Sequence, residues 1–211
     1  GCEVGITLNL TDVQPTSSGE PDQQAAGRLD GHVNRWFLDP LYRKRYPEDM
    51  LACYRKLGYL SAEFGDLVQE GDLEAAGEKT DFLGVNYYTR AVVSDTDPPG
   101  RIPSIDSFME GTPRTDTGWE IYPEGLMNVL CRLHEEYKIP KIYITENGAS
   151  FDDSPDQEGR IRDARRIAYL HSHFCSAGKS IQQGVPLAGY FVWSLLDNFE
   201  WASGYSQRFG L

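Results

Sequence analysis

The chain has 211 residues, 40% hydrophobic and 25% charged, the balance of an ordinary globular protein long enough for one large or two small domains. Its formal net charge of −12 at pH 7 makes a field that repels phosphate, which argues against nucleic acid or an anionic membrane surface as partner. No stretch approaches the roughly 18 apolar residues of a membrane span, and nothing at the start reads as a basic region followed by an apolar run.

In chain order, Val4 to Leu10 is the first segment with a strand signature, β-branched and apolar residues bounded by polar or turn residues. Asp22 to Phe37 then carries Ala25, Ala26, Leu29, Val33 and Trp36 on one helical face, with Trp36 read as core, and Pro47 to Leu57 reads as a shorter helix. Phe82 to Tyr87 is the second strand. From Asp95 to Gly118, breakers such as Pro98, Pro99, Gly100, Pro103 and Pro113 predict a long loop, either ordered and functional or disordered. Gly125 to Lys138 spaces Leu126, Val129, Leu130, Leu133 and Tyr137 by three and four, a helix ending before Pro140. Lys141 to Thr145 is the third strand. From Ile161 to Gln183, Ile167, Leu170, Phe174 and Ile181 mark another helical face, stopped by Gly184 and Pro186. Leu187 to Ser194 is the fourth strand.

These strands are mostly apolar rather than alternating, as strands covered on both faces are. Strand and helix in turn predict an α/β fold with parallel strands and right-handed crossovers. Ligands of such sheets bind at the carboxyl ends of the strands, which here carry Asn9 and Thr11, Asn86 to Tyr88, Glu146 and Asn147, and Trp193 and Ser194. Carboxylates and amides bond hydroxyls while aromatic faces pack on C–H surface, so the mixture suits a neutral polyhydroxylated ligand. Taken alone, Glu146-Asn147-Gly148 reads more readily as a solvated Glu before an Asn-Gly turn.

Other groups carry less. His171 and His173, two apart on a predicted helix, point to different sides, and His32 and His134 lie on helices away from the strand ends, so no metal site is expected. The acidic "SFDDSPDQEG" of residues 150–159 lacks EF-hand spacing and reads as a solvated loop. Cys2, Cys53, Cys131 and Cys175 are scattered without a CxxC pair, which predicts free thiols in a reducing, cytoplasmic setting.

The segments "YITENGAS", "DFLGVNYYTR", "TDTGWEIYPEGL" and "GYFVWSLLDNFEWASGYSQRFGL" together resemble the carboxyl-terminal half of family 1 glycoside hydrolases, and "VGITLNL" and "LDGHVNRWFLDPL" extend the likeness over essentially the whole chain. The resemblance implies a (β/α)8 TIM barrel of which residues 1–211 supply about the second half, strands 5 to 8, as one domain incomplete by itself. It implies hydrolysis of terminal β-D-glucosyl residues, with β-galactosyl or β-fucosyl residues as further possibilities, by a retaining double displacement that needs no cofactor. Glu146 occupies the nucleophile motif and Tyr88 is placed to orient it. Asn86, Trp119, Trp193, Glu200, Trp201 and Phe209 fall at substrate-binding positions, Trp193 as floor, Glu200 and Trp201 toward the distal hydroxyls and Trp119 toward the leaving group.

The chain also departs from the family pattern. The family's general acid lies in an Asn-Glu-Pro motif on an earlier strand, and the only Glu-Pro here, Glu20-Pro21, follows no strand. A half barrel has two open parallel edges, which implies either a complementary amino-terminal half, cleaved or split, or a second copy of the chain. A non-catalytic sugar-binding relative and a transglycosylase are the other readings of the same residues.

Overall fold

The computed structural model describes residues 1–61, 63–95, 100–152 and 154–211. Pro98 and Pro99 of the predicted long loop and Asp153 of the acidic stretch lie outside them. Four strands, β1 (Gly5–Asn9), β3 (Phe82–Asn86), β5 (Ile142–Asn147) and β6 (Leu187–Val192), form one parallel sheet in the order β1-β3-β5-β6. Two further strands, β2 (Asp12–Pro15) and β4 (Arg90–Val93), pair in parallel as a separate ribbon just beyond the carboxyl ends of β1 and β3. That ribbon carries no sequence signal, because four residues containing Pro15 or opening on Arg90 show no strand periodicity.

The helical layer lies on one side of the sheet. Helix α1 (Glu20–Asp30) continues through a π-helical turn (Gly31–Arg35) into α2 (Trp36–Arg43), and α3 (Glu48–Lys56), α4 (Phe64–Leu67) and α5 (Asp72–Ala76) follow. The helix predicted to end at Phe37 thus runs on past Pro40, and Lys44 in the left-handed region closes it. Helix α6 (Pro123–Tyr137) starts with Pro at its first position and ends at left-handed Lys138. Its Leu126, Leu130 and Leu133 are buried with Leu83, Val85, Ile142 and Ile144 of the strands. Each fully buried leucine is worth about 1.5–3 kcal/mol, so this α6–sheet contact anchors the fold.

Helix α7 (Ala164–Gln182) differs from expectation. Its buried residues are Arg166, Tyr169, His173, Ser176, Ala177 and Ser180, whereas Ile167, Phe174 and Ile181 of the predicted apolar face are exposed. The polar side chains are tolerated inside because they are bonded: Arg166 donates to the carbonyls of Ala149 and Arg208 and pairs with Asp163, and His173 Nδ1 sits 2.8 Å from the Tyr169 carbonyl. His171, two residues from His173, is exposed, as the helical period requires.

The sheet is covered on one face only. On the other, the Tyr143 and Phe191 rings stand tilted to one another at 6.4 Å with Phe191 57% exposed, and outer strand β1 leaves Ile6 and the preceding Val4 in solvent. Among the described residues no helix is long and apolar enough to cross a membrane. The four cysteines are free.

Candidate active site

Strand β5 delivers Glu146 through a break in register. Ile142 and Ile144 are buried toward the helices, with Tyr143 and Thr145 on the opposite face. Strict alternation would send Glu146 to the helix side with the two isoleucines. Instead Val85 pairs with Ile144 and Asn86 with Glu146, so Thr145 is an extra residue on β5. Paired residues of a parallel sheet share a face, and Glu146 therefore turns to the open side beside Asn86. The same surplus residue shows against β6, where Ile144 pairs with Tyr190 and Asn147 with Val192. Thr145 Oγ1 donates to Asn86 Oδ1 at 2.7 Å, closing the bulge on β3.

The carboxylate so placed is held by a phenol: Tyr88 Oη donates to Glu146 Oε2 at 2.6 Å. Burial, and then this bond to a carboxylate, raise the Tyr88 phenol well above its ordinary value, so it stays a donor across the working pH range. The Tyr88 ring leans on Trp119, centroids 5.1 Å apart, and meets Phe209 edge-on at 6.3 Å. Across the site, Trp193 Nε1 donates to Glu200 Oε1 at 3.0 Å. Trp201 is 85% exposed and Phe209 fully buried.

All eight residues singled out from the sequence, Asn86, Tyr88, Trp119, Glu146, Trp193, Glu200, Trp201 and Phe209, line one cavity of about 490 Å³. Asn9 and Thr11 from the end of β1 and Thr89, Ile105 and Asp106 share it. Ile105 and Asp106 carry no sequence signal, because they lie in irregular chain whose path only tertiary packing sets. The loop that presents Trp119 is held by a buried ion pair. Arg90 Nε and Nη2 donate to the two oxygens of Glu120 at 3.0 and 2.8 Å, with both residues under 10% exposed. The Arg90 guanidinium also lies 3.6 Å from the centroid of Tyr122, and Thr89 Oγ1 donates to the Glu120 carbonyl at 2.9 Å.

Gly148 brings the β5 end close to β6. A Cβ there would fall 1.8 Å from the Trp193 carbonyl oxygen, a backbone atom that cannot rotate away. Only glycine lets the two chains pass at this distance.

A larger cavity, about 960 Å³, opens along β1 and is lined by Thr7, Asn9, His32, Trp36, Tyr54 and Tyr59 among others, with no carboxylate among the described residues. It corrects two expectations. His32 is not remote from the strand ends: it bonds the Tyr54 hydroxyl at 2.6 Å beside Asn9 and Asn86. Trp36 is half-buried on the cavity wall in a cluster with Tyr46, Tyr54 and Phe64, rather than core. The smaller cavity is the chemically equipped one, since it holds Glu146, Glu200 and Asp106 among aromatic rings. Glu20 opens α1 in solvent, bonded by Gln24, outside both cavities. Among the described residues no group of three His, Cys, Asp or Glu side chains could hold a metal ion.

A carboxylate oriented by a neutral phenol, opposite indole and amide groups, can attack or stabilise an electron-poor carbon in a neutral polar ligand. Comparison with known proteins points the same way. The sequence profile of glycosyl hydrolase family 1 matches residues 1–211. Beta-glucosidase A of Thermotoga maritima is 46% identical over 99% of this chain and 45% of its own length, and the 1,4-beta-D-glucan glucohydrolase of Thermotoga neapolitana is 44% identical over 99% and 47%. The solved Thermotoga maritima beta-glucosidase in complex with deoxynojirimycin superposes with a TM-score of 0.88 at 44% identity, covering 99% of this chain and 45% of that one. The chain thus spans less than half the length of these relatives.

Proposed function

The chain belongs to glycosyl hydrolase family 1, and on that premise we propose that it is the carboxyl-terminal half of a retaining β-glucosidase. The observation that carries this reading is the Tyr88–Glu146 hydrogen bond at the rim of an aromatic-lined cavity. In the proposed reaction a Glu146 carboxylate oxygen bonds to the anomeric carbon as the bond from that carbon to the leaving oxygen breaks. The leaving oxygen takes a proton from a second carboxyl, about 5 Å from that of Glu146 and within hydrogen-bond reach of the leaving oxygen, supplied by the complementary half. That group, now a carboxylate, removes a proton from water, which displaces Glu146 and restores the first configuration. Tyr88 orients the nucleophile, Asn86 lines the pocket, and Trp193 with Phe209 forms floor and wall. Glu200 and Trp201 receive the distal hydroxyls and Trp119 faces the leaving group.

The open face of the sheet supports a partner, because Phe191 and the β1 edge are unprotected. An amino-terminal half barrel is the proposed partner rather than a second copy, since two chains each bearing −12 repel and duplicate the nucleophile without adding the acid. Free, scattered thiols suit a cytoplasmic setting.

The test is inactivation of the assembled barrel with a 2-deoxy-2-fluoro-β-glucoside bearing an activated aryl leaving group, followed by peptide mapping. Covalent label on Glu146 is expected. An assembled barrel that binds the sugar but takes no label at Glu146 would instead be the non-catalytic sugar-binding relative.

A further inference from the structure

We propose that Asn147 is a positioning residue: its buried carboxamide anchors the Thr145 bulge and thereby turns Glu146 to the open side of the sheet. Asn147 is fully buried. Its Nδ2 donates to the Tyr87 carbonyl at 2.8 Å, on the chain between Asn86 and Tyr88, and lies 3.0 Å from the Tyr169 hydroxyl on α7. Its Oδ1 accepts from the Tyr190 hydroxyl on β6. One side chain therefore ties β5 to both neighbouring strands and to the helix covering them. The Tyr169 hydroxyl lies 3.5 Å from the Tyr88 carbonyl, so the same knot reaches the residue that holds Glu146.

Parity forces the bulge. With Asn147 fixed on the helix side and Ile144 also on that side, two residues must fit between them where regular alternation allows one. The chain accommodates the second by bulging, and Thr145 and Glu146 then both lie on the open side, where Thr145 bonds Asn86 and Glu146 lines the cavity. Backbone bonds complete the clamp, Tyr87 donating to the Glu146 carbonyl and Trp193 to the Asn147 carbonyl, both at 3.0 Å. Without the carboxamide, the buried Tyr87 carbonyl and the Tyr169 and Tyr190 hydroxyls each lose a bond, and β5 gains by sliding into regular register. That Glu146 acts as a nucleophile rests on the proposed function; the positioning of its carboxylate does not.

The experiment labels the full chain with [¹³C]glutamate and identifies the Glu146 carboxyl resonance by its loss in Glu146→Gln. Tyr88→Phe calibrates how far that resonance moves when the phenol bond is lost. Asn147→Ala is expected to move it in the same direction by at least half as much, and Tyr190→Phe by a smaller amount. A Glu146 resonance unmoved in Asn147→Ala, while Tyr88→Phe moves it, overturns the proposal. If Asn147→Ala does not fold, Tyr190→Phe decides, since it removes one hydroxyl only, and an unmoved resonance there is equally fatal. In the assembled barrel, Asn147→Ala should lower kcat about 100-fold, the cost of a misplacement near 1 Å, with KM changed less than threefold. A resonance that moves in a protein never labelled by the fluoroglucoside would leave the positioning intact and reject the hydrolase reading.

Discussion

Tyr88 Oη and Glu146 Oε2 stand 2.6 Å apart, joining residues that follow β3 and close β5 and lie 58 positions apart in the chain. A hydrogen bond to a charged group is worth about 1.5–3 kcal/mol, so Tyr88→Phe should slow formation of the glycosyl-enzyme about 10- to 100-fold. Single-turnover kinetics on an activated aryl glucoside with the assembled barrel measures it, and an unchanged rate would remove Tyr88 from the proposed mechanism.

The Arg90–Glu120 pair is buried, so removing one partner leaves a charge with no water to receive it. Glu120→Gln is expected to cost about 3–5 kcal/mol, lowering Tm by about 10 °C. The double variant Arg90→Met, Glu120→Leu should recover part of that loss. Calorimetry on the three proteins checks the order, and a double variant less stable than the single one contradicts it.

His173 supplies a pH dependence. Its Nε2 is buried without a hydrogen-bond partner among the described residues, and burial pushes the imidazole down from 6.5 to about 4. The unfolded chain therefore binds a proton that the folded chain refuses between those values. Stability from this residue is complete above pH 6.5 and is lost as pH falls toward 4, about 3 kcal/mol in all. Urea unfolding at pH 7 and 4.5 should show a smaller loss for His173→Phe than for the parent protein. Parallel losses would show that other groups, such as the paired carboxylate of Asp30, which is held below its usual range, account for the whole slope.

Gly148→Ala should disturb the site from beneath. The added methyl meets the Trp193 carbonyl, and the end of β6 must shift, taking with it the Trp193 indole that holds Glu200. We expect a stability loss of about 1–3 kcal/mol and at least tenfold weaker binding of a glucose-configured inhibitor to the assembled barrel. Titration calorimetry with affinity retained would show that β6 yields without moving its side chains.

Much of this was legible in the chain. Leu126, Leu130 and Leu133 recur at helical spacing because one helix face packs on one sheet, and that pattern survives in any sequence that folds this way. The strand-end rule gathered Asn86, Glu146 and Trp193 because parallel strands deliver their carboxyl ends to one rim. Helix α7 defeated the same logic: its inward residues are Arg166, Tyr169 and His173, and what makes them tolerable inside is hydrogen bonding to partners that spacing along α7 does not reveal. The ribbon of β2 and β4 escaped because four residues are too few to show a period.

The amino-acid sequence by itself determined the order of the four sheet strands, the main helices between them and the family the chain belongs to, since all of these depend on side-chain type and spacing along one chain. The direction in which Glu146 points was decided only in three dimensions. Alternation from Ile142 through Ile144 sends it among the helices; the surplus Thr145 reverses that, and a bulge is a relation between two strands rather than a property of either.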